Sequence, residues 1–358
     1  MERDCISHSQ WRAMVWAGLM APMVELLPGV ALAQAGKGAW LSVLLAWAGM
    51  MAVGGFLIPR WRVLGGYGNT VCRALGPAVG KGVLVVYLLW GECLAALRLR
   101  LCAQRLLSAG ERDGSLWFFL PAAALLALWM ARGKLTAFAR AAQIFWGILL
   151  TTMAAVLLLS LSQMRGELLL PVWWDDVPGI LLAVPSVLGV LCYGVYGGFL
   201  LGRTEAENRW RREWIRAGAW MGGLVVLGQV VIIGSLGVEL AARLNSPFFT
   251  LAKSAGVEGA FQRVESVVAA VWTLADLTLL VLLLFALWEI VGRIFPRARQ
   301  KVVVTGAILP AAAIGMAAFP DGFTAEQAGS GWLLVGNLVL GLAVPILLAG
   351  FLRVKEKS

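Results

Sequence analysis

A chain of 358 residues that is 60% hydrophobic and only 14% charged, with a mean hydropathy of +0.82, falls well short of the roughly 25% charge of a soluble domain. That excludes a water-soluble enzyme or binding module and leaves an all-α polytopic membrane protein with about ten spans and short loops. The formal net charge of +10 is spread over many segments, which suits anionic lipid along one face rather than nucleic acid. Apolar runs fall at 10–33, 39–58, 81–107, 116–131, 136–162, 179–201, 215–238, 264–290, 302–319 and 331–352, predicting ten transmembrane helices.

The first run, read from Trp16 to Gly29 as WAGLMAPMVELLPG, breaks the rules of a lipid-facing helix. Pro22 and Pro28 each remove a backbone donor, and Glu25 sets a carboxylate between them. In hydrocarbon an unsatisfied backbone group costs several kcal/mol, and a mid-membrane carboxylate roughly 3 kcal/mol more. Such residues persist where protein or a water-lined cavity takes up the freed groups. The expectation is a discontinuous helix in which Ala21, Pro22, Glu25, Pro28 and Gly29 line a small-molecule site near the midplane. A proline-kinked helix with Glu25 protonated, or hydrogen-bonded to a neighbour, accounts for the same residues. Ala31-Leu32-Ala33 before Gln34 resembles a signal-peptidase site, but Glu2, Asp4 and the broken apolar run argue for an uncleaved first span.

Residues 60–80 and 239–263 mix basic and apolar positions, as interfacial amphipathic segments do. The GPAVGKG stretch in the first of them only approaches a phosphate loop: three residues separate Gly76 from Gly80, and Gly82 stands where Ser or Thr would hold magnesium. The third run carries Glu92, Arg98 and Arg100. Glu92, a candidate ligand contact, and Arg98 lie six residues apart and do not stack; Arg98, Arg100 and Arg105 either face the bundle interior or snorkel outward.

Pro185 and the glycines at 189, 194, 197 and 198 weaken the sixth run where the first is weakened. Runs one and six open two five-helix halves, residues 1–162 and 171–358, which is the pattern of a 5+5 inverted repeat with a binding site between the halves. Taken alone, the glycines of run six favour close helix packing; paired with the break in run one, they point to a site. Gly189, Tyr193 and Tyr196 are its candidate ligand contacts. Run eight holds Asp276 about twelve residues in, with Thr273 three residues back on nearly the same face, so both are candidates. Arg263 and Glu265, which open that run, point to different sides and are expected to be structural.

With the N-terminus inside, 21 of the 30 basic residues fall on the inner side, so both termini are expected in the cytoplasm. Tryptophans near span ends, such as Trp40, Trp117 and Trp332, read as interfacial anchors. Five cysteines without a C-x-x-C pair predict reduced thiols, and with His8 the sole histidine no zinc or haem site is expected. The absence of a Ser-His-Asp set, a paired-carboxylate motif or a cofactor loop argues against an enzyme and against any cofactor.

LLPGVALAQAGKGAWLSVLLA (Leu26 to Ala46) and NSPFFTLAKSAGVEGAFQRVESVVAAVWTLADL (Asn245 to Leu277) carry a family resemblance, with FARAAQIFWGILL (Phe138 to Leu150) and FPDG (Phe319 to Gly322) in support. Most specific is the R-x-E-S pattern of Arg263 to Ser266 ahead of Val271 and Trp272. The chain resembles the B subunits of spore germinant receptors, endospore germination permeases of the amino acid–polyamine–organocation transporter superfamily. The resemblance implies a ten-helix, two-repeat fold like that of the bacterial leucine transporter. It also implies a place in the inner membrane of the spore, A and C subunits as partners, and recognition of a germinant, usually an amino acid, by helices one, three, six and eight. In that superfamily the break in helix one is usually glycine-rich, and its bare amides take the ligand carboxylate. Here the break reads APMVELLPG, and a glutamate beside the pocket would repel a carboxylate and attract an ammonium. The function expected is a germinant-sensing subunit for a small amino acid or amine. A cation-coupled amino-acid or amine transporter, with Asp276 or Glu25 as the coupling carboxylate, is the competing reading.

Overall fold

The computed structural model describes residues 5–109, 115–170, 172–205, 210–244, 246–254 and 264–355. Ser7 starts the first helix, α1 (His8–Glu25), through a reciprocal cap: its hydroxyl accepts the Gln10 N–H at 3.3 Å and its N–H donates to Gln10 Oε1 at 3.0 Å. Leu26 alone interrupts the helical run before α2 (Leu27–Ala35), which has Pro28 in its first turn. The break is narrow, because the Leu26 N–H still closes on Pro22 O at 2.9 Å and the Val30 N–H on Leu26 O at 3.1 Å. Pro22 and Pro28 have no N–H to donate. Gly36, at φ +50°, ends α2 and turns the chain into α3 (Ala39–Val63).

The short α4 (Tyr67–Leu75) follows, then α5 (Pro77–Ala109), α6 (Leu116–Ala131) and α7 (Leu135–Ser160). Predicted span six is a chain of pieces: α8 (Val177–Leu191), a 3₁₀ turn over Cys192–Gly194, α9 (Val195–Phe199) and a second 3₁₀ turn over Leu200–Arg203. Next come α10 (Trp210–Leu236) and the short α11 (Val238–Arg243) and α12 (Pro247–Ser254), ahead of α13 (Val264–Ile294) and α14 (Gln300–Ala317). The last span is prepared by α15 (Gly322–Ser330) and built from α16 (Trp332–Leu338), a π turn at Val339–Ala343 and α17 (Val344–Lys355).

The fold is all-helical, and among the described residues eight helical stretches are long and apolar enough to cross a membrane. The departures from the ten predicted runs have physical causes. Helices α2 and α3 count as one stretch because only a short turn parts them, and the 16-residue α6 reaches only about 24 Å. α1 is not among the eight; His8, Gln10, Arg12 and Glu25 dilute its apolar content.

Helix α13 is the axis of the molecule. It is buried without interruption from Ala275 to Leu287, as a helix apolar on every side should be, and α1, α5, α7 and α14 pack around it. Spans one and six meet directly: Trp11 Nε1 donates to Gly197 O at 2.8 Å, and Gln34 Nε2 to Ser186 Oγ at 3.1 Å. At the end of the bundle holding both described termini, Ile6 exchanges backbone bonds with Arg203 and Glu205 at 2.9 and 3.1 Å. There the Gly65–Gly66 turn presses on the end of span six so closely that a Cβ on Gly202 would lie 2.4 Å from Gly65 O. At the opposite end, Asp321 caps α15 by accepting the Thr324 N–H at 2.6 Å.

Candidate ligand site

Glu25 is the last residue of α1, so the interruption at Leu26 delivers its carboxylate into the core. Arg98 and Arg105 project from α5 two turns apart, on one face of that helix. Glu25 Oε2 accepts from Arg98 Nη1 at 3.1 Å, while Glu25 Oε1 lies 2.9 Å from Arg105 Nη2. Arg105 Nη1 also donates to Asp276 Oδ2 on α13. Spans one, three and eight are thus joined by one ionic chain. Its members are buried: Arg98 is 0% exposed, Asp276 1%, Glu25 5% and Arg105 6%. Two carboxylates and two guanidinium groups sum to zero charge, which is how ionised groups are retained in a dry interior. The arginines therefore do not snorkel, and Glu25 does not present an uncompensated negative charge.

Aromatic rings complete the surround. The Arg98 guanidinium carbon lies 5.6 Å from the centre of the Tyr193 ring in span six, and that of Arg105 lies 5.0 Å from Phe249 in α12. Trp272 of α13 donates to Met20 O at 3.3 Å, and Trp90 of α5 to Asn337 Oδ1 of α16 at 2.9 Å. From the end opposite the termini a cavity of about 410 Å³ reaches Glu25. Leu26, Gly29 and Gln34 form part of its wall, with Arg243 of α11 and Glu326 of α15 across from them.

The structure distributes the sequence candidates unevenly. Glu25, Tyr193 and Asp276 come together in or beside the ionic chain. Gly29 lines the cavity with no atom within 4 Å of where its Cβ would be. Ala21, Pro22 and Pro28 are buried in the packing of α1 and α2. Thr273 turns its hydroxyl back to Ala269 O of its own helix at 3.1 Å. Glu92 lies against Ala311 of α14, about 9 Å along α5 from Arg98. Gly189 is a packing contact: a Cβ there would meet Leu334 O at 2.8 Å. Tyr196 donates to Tyr87 O at 2.9 Å within an aromatic group that includes Tyr67 and Phe199, its ring packed at Gly91 about 10 Å along α5 from Arg98. Arg263 and the side chain of Glu265 lie outside the described residues. Arg100 faces away, donating to Phe319 O at 2.8 Å and Pro320 O at 3.2 Å, so it holds the FPDG turn. The contributions of Asn337 and Phe249 have no signal in the sequence beyond their positions in or near predicted spans.

The model of the spore germination protein family matches residues 5–321. No curated protein matches the chain. Among solved structures, the crystal structure of MhsT in complex with L-phenylalanine is similar, with a TM-score of 0.66. The superposition covers 92% of this chain and 87% of that one at 13% identity, so it shows a shared fold. That fold is leucine-transporter-like, all-helical with interrupted first and sixth spans.

Proposed function

The chain belongs to the spore germination protein family, and from that premise we propose that it is the germinant-sensing subunit of a spore germination receptor. It binds a small amino acid or amine beside the Glu25–Arg98–Arg105–Asp276 chain and passes the change to A and C subunits. It resides in the inner membrane of the spore with both termini cytoplasmic. The observation that carries this reading is the ionic chain itself, joining spans one, three and eight where a cavity of about 410 Å³ reaches Glu25. Four buried charges tied across three helices make a two-state element: a ligand that takes one partner from another changes which helix arrangement is lowest. A ligand shifts such an equilibrium only through its different affinity for the two states. The MhsT complex contains an amino acid, which gives the ligand class its precedent on this fold.

The test is binding and flux measured side by side on the full chain, purified and then reconstituted alone in vesicles. Saturable binding of an amino acid or amine without accumulation in the vesicles is the expected result. Concentrative uptake driven by a proton or sodium gradient would replace the receptor reading with that of a transporter. Co-purification with the A and C subunits tests the signalling half of the proposal.

A further inference from the structure

Hydrogen-bond satisfaction around the ionic chain is lopsided. Arg98 uses Nη1 on Glu25, but its Nε and Nη2, buried in a residue with 0% exposure, have no hydrogen-bond partner. The Tyr193 hydroxyl, at 0% exposure, and Asn337 Nδ2, at 3%, are likewise buried without a partner. These groups are neighbours. The Tyr193 hydroxyl lies within reach of the Arg98 guanidinium and the Asn337 amide, without the full geometry of a hydrogen bond to either. The Asn337 amide is oriented by Trp90, whose indole N–H takes Oδ1 and leaves Nδ2 as the free end.

All of these free groups can donate, from Nε, Nη2, the hydroxyl and Nδ2. An unmatched donor in a dry core carries its full desolvation cost, so a group of them awaits a strong acceptor. The Nε–Nη2 edge of a guanidinium offers two parallel N–H bonds, the geometry that a carboxylate accepts bidentately. At the break in span one the Leu26 N–H is spent on Pro22 O, the Val30 N–H on Leu26 O, and Pro28 has none.

We propose that Arg98, Tyr193 and Asn337 form a carboxylate subsite between spans three, six and ten, so that the ligand is an α-amino acid held by its carboxylate and not an amine. This deepens the receptor reading above and rests on it. Asp276 Oδ1, a buried acceptor also without a partner, receives the α-ammonium group. A zwitterion adds no net charge to a cluster that is already balanced.

The test uses the full chain purified in detergent, with each L-amino acid compared against its own carboxamide and its decarboxylated amine by equilibrium binding and by melting-temperature shift. The carboxamide and the amine should bind at least about tenfold more weakly than the acid that binds best. Asn337→Asp, which supplies a carboxylate in place, should fold and weaken amino-acid binding at least about tenfold. Tyr193→Phe, a milder change, should weaken the acid several-fold and leave the carboxamide unchanged. Equal binding of acid and carboxamide, binding by amines alone, or wild-type affinity in Asn337→Asp would overturn the subsite while leaving a ligand-binding receptor. Failure of every amino acid, carboxamide and amine to bind would overturn the subsite and the receptor reading together.

Discussion

At the scale of single residues, the dominant energy is the burial of four charges. Taking one ion out of water costs several kcal/mol, and only its partner and hydrogen bonds offset this. Arg105 is bonded to both Glu25 and Asp276, so removing either acid leaves a buried guanidinium partly uncompensated. Asp276→Asn and Arg105→Gln should each lower stability by about 3–5 kcal/mol. The double variant should lose clearly less than the sum, with a coupling above about 1 kcal/mol in a thermal-unfolding cycle. Strict additivity would mean that the pair is not in contact. His8 behaves differently. It lies at the edge of the bundle against Trp210, with ring centres 3.4 Å apart, and its Nδ1 is 3.7 Å from the Glu213 carboxylate. Burial first, then the charges of Arg12 and Arg62, holds its imidazole down at about pH 3 for protonation. Folded, it is neutral; unfolded, it takes a proton near its ordinary 6.5. Its contribution is therefore whole above pH 6.5 and is lost as pH falls from 6.5 toward 3, at up to about 1.4 kcal/mol per unit. His8→Gln should flatten the fall in melting temperature between pH 6.5 and 4.

At the scale of elements, packing between helices depends on glycines at a few contacts and not at others. In α8, a Cβ on Gly189 would stand 2.8 Å from Leu334 O, and backbone of a neighbouring helix cannot swing aside as a side chain can. Gly189→Ala should cost about 1–3 kcal/mol by forcing α8 from α16. Gly223 in α10 has nothing within 4 Å of a Cβ, and Gly223→Ala should be neutral or stabilising by up to about 1 kcal/mol from helix propensity. Melting temperatures of the two variants separate a packing glycine from a free one. The same contrast explains what the chain discloses before it folds. Apolar runs disclose spans because hydrocarbon thickness fixes their length, and Pro22, Pro28 and Pro185 disclose which spans are interrupted. The width of an interruption is not legible, because the bond from the Leu26 N–H to Pro22 O depends on how α1 settles against α13. Nor are the partners of a buried acid: Glu25 looks like a lone negative charge until α5 brings in Arg98 and Arg105, which lie 73 and 80 positions further on. Seven-residue spacing puts those arginines on one face, yet snorkelling satisfies them equally well from sequence alone. Asn337 matters through Trp90 and Tyr193, both distant in sequence.

At the scale of the whole molecule, the question is which end a ligand comes from. The end with the termini is tightly closed: Tyr67 and Tyr87 share a bond at 2.7 Å, Tyr196 donates to Tyr87 O, and Gly202 abuts the backbone of Gly65. The opposite end is open as far as Glu25 through the cavity between α2, α11 and α15. Access from that side predicts a kinetic effect for a residue that lines the passage and touches nothing. Gly29 is such a residue, since a Cβ there meets no atom within 4 Å. Gly29→Phe should fold with a melting temperature within a few degrees of the parent, because the ring extends into open space instead of displacing neighbours. It should nonetheless slow ligand association by about tenfold or more, as a plugged gate does, whereas Gly223→Phe on the far face of α10 should not. Stopped-flow association on the purified chain measures this directly. An unchanged rate in Gly29→Phe would place the route on the side of the termini, where the Tyr67–Tyr87–Tyr196 group would then have to part for each binding event.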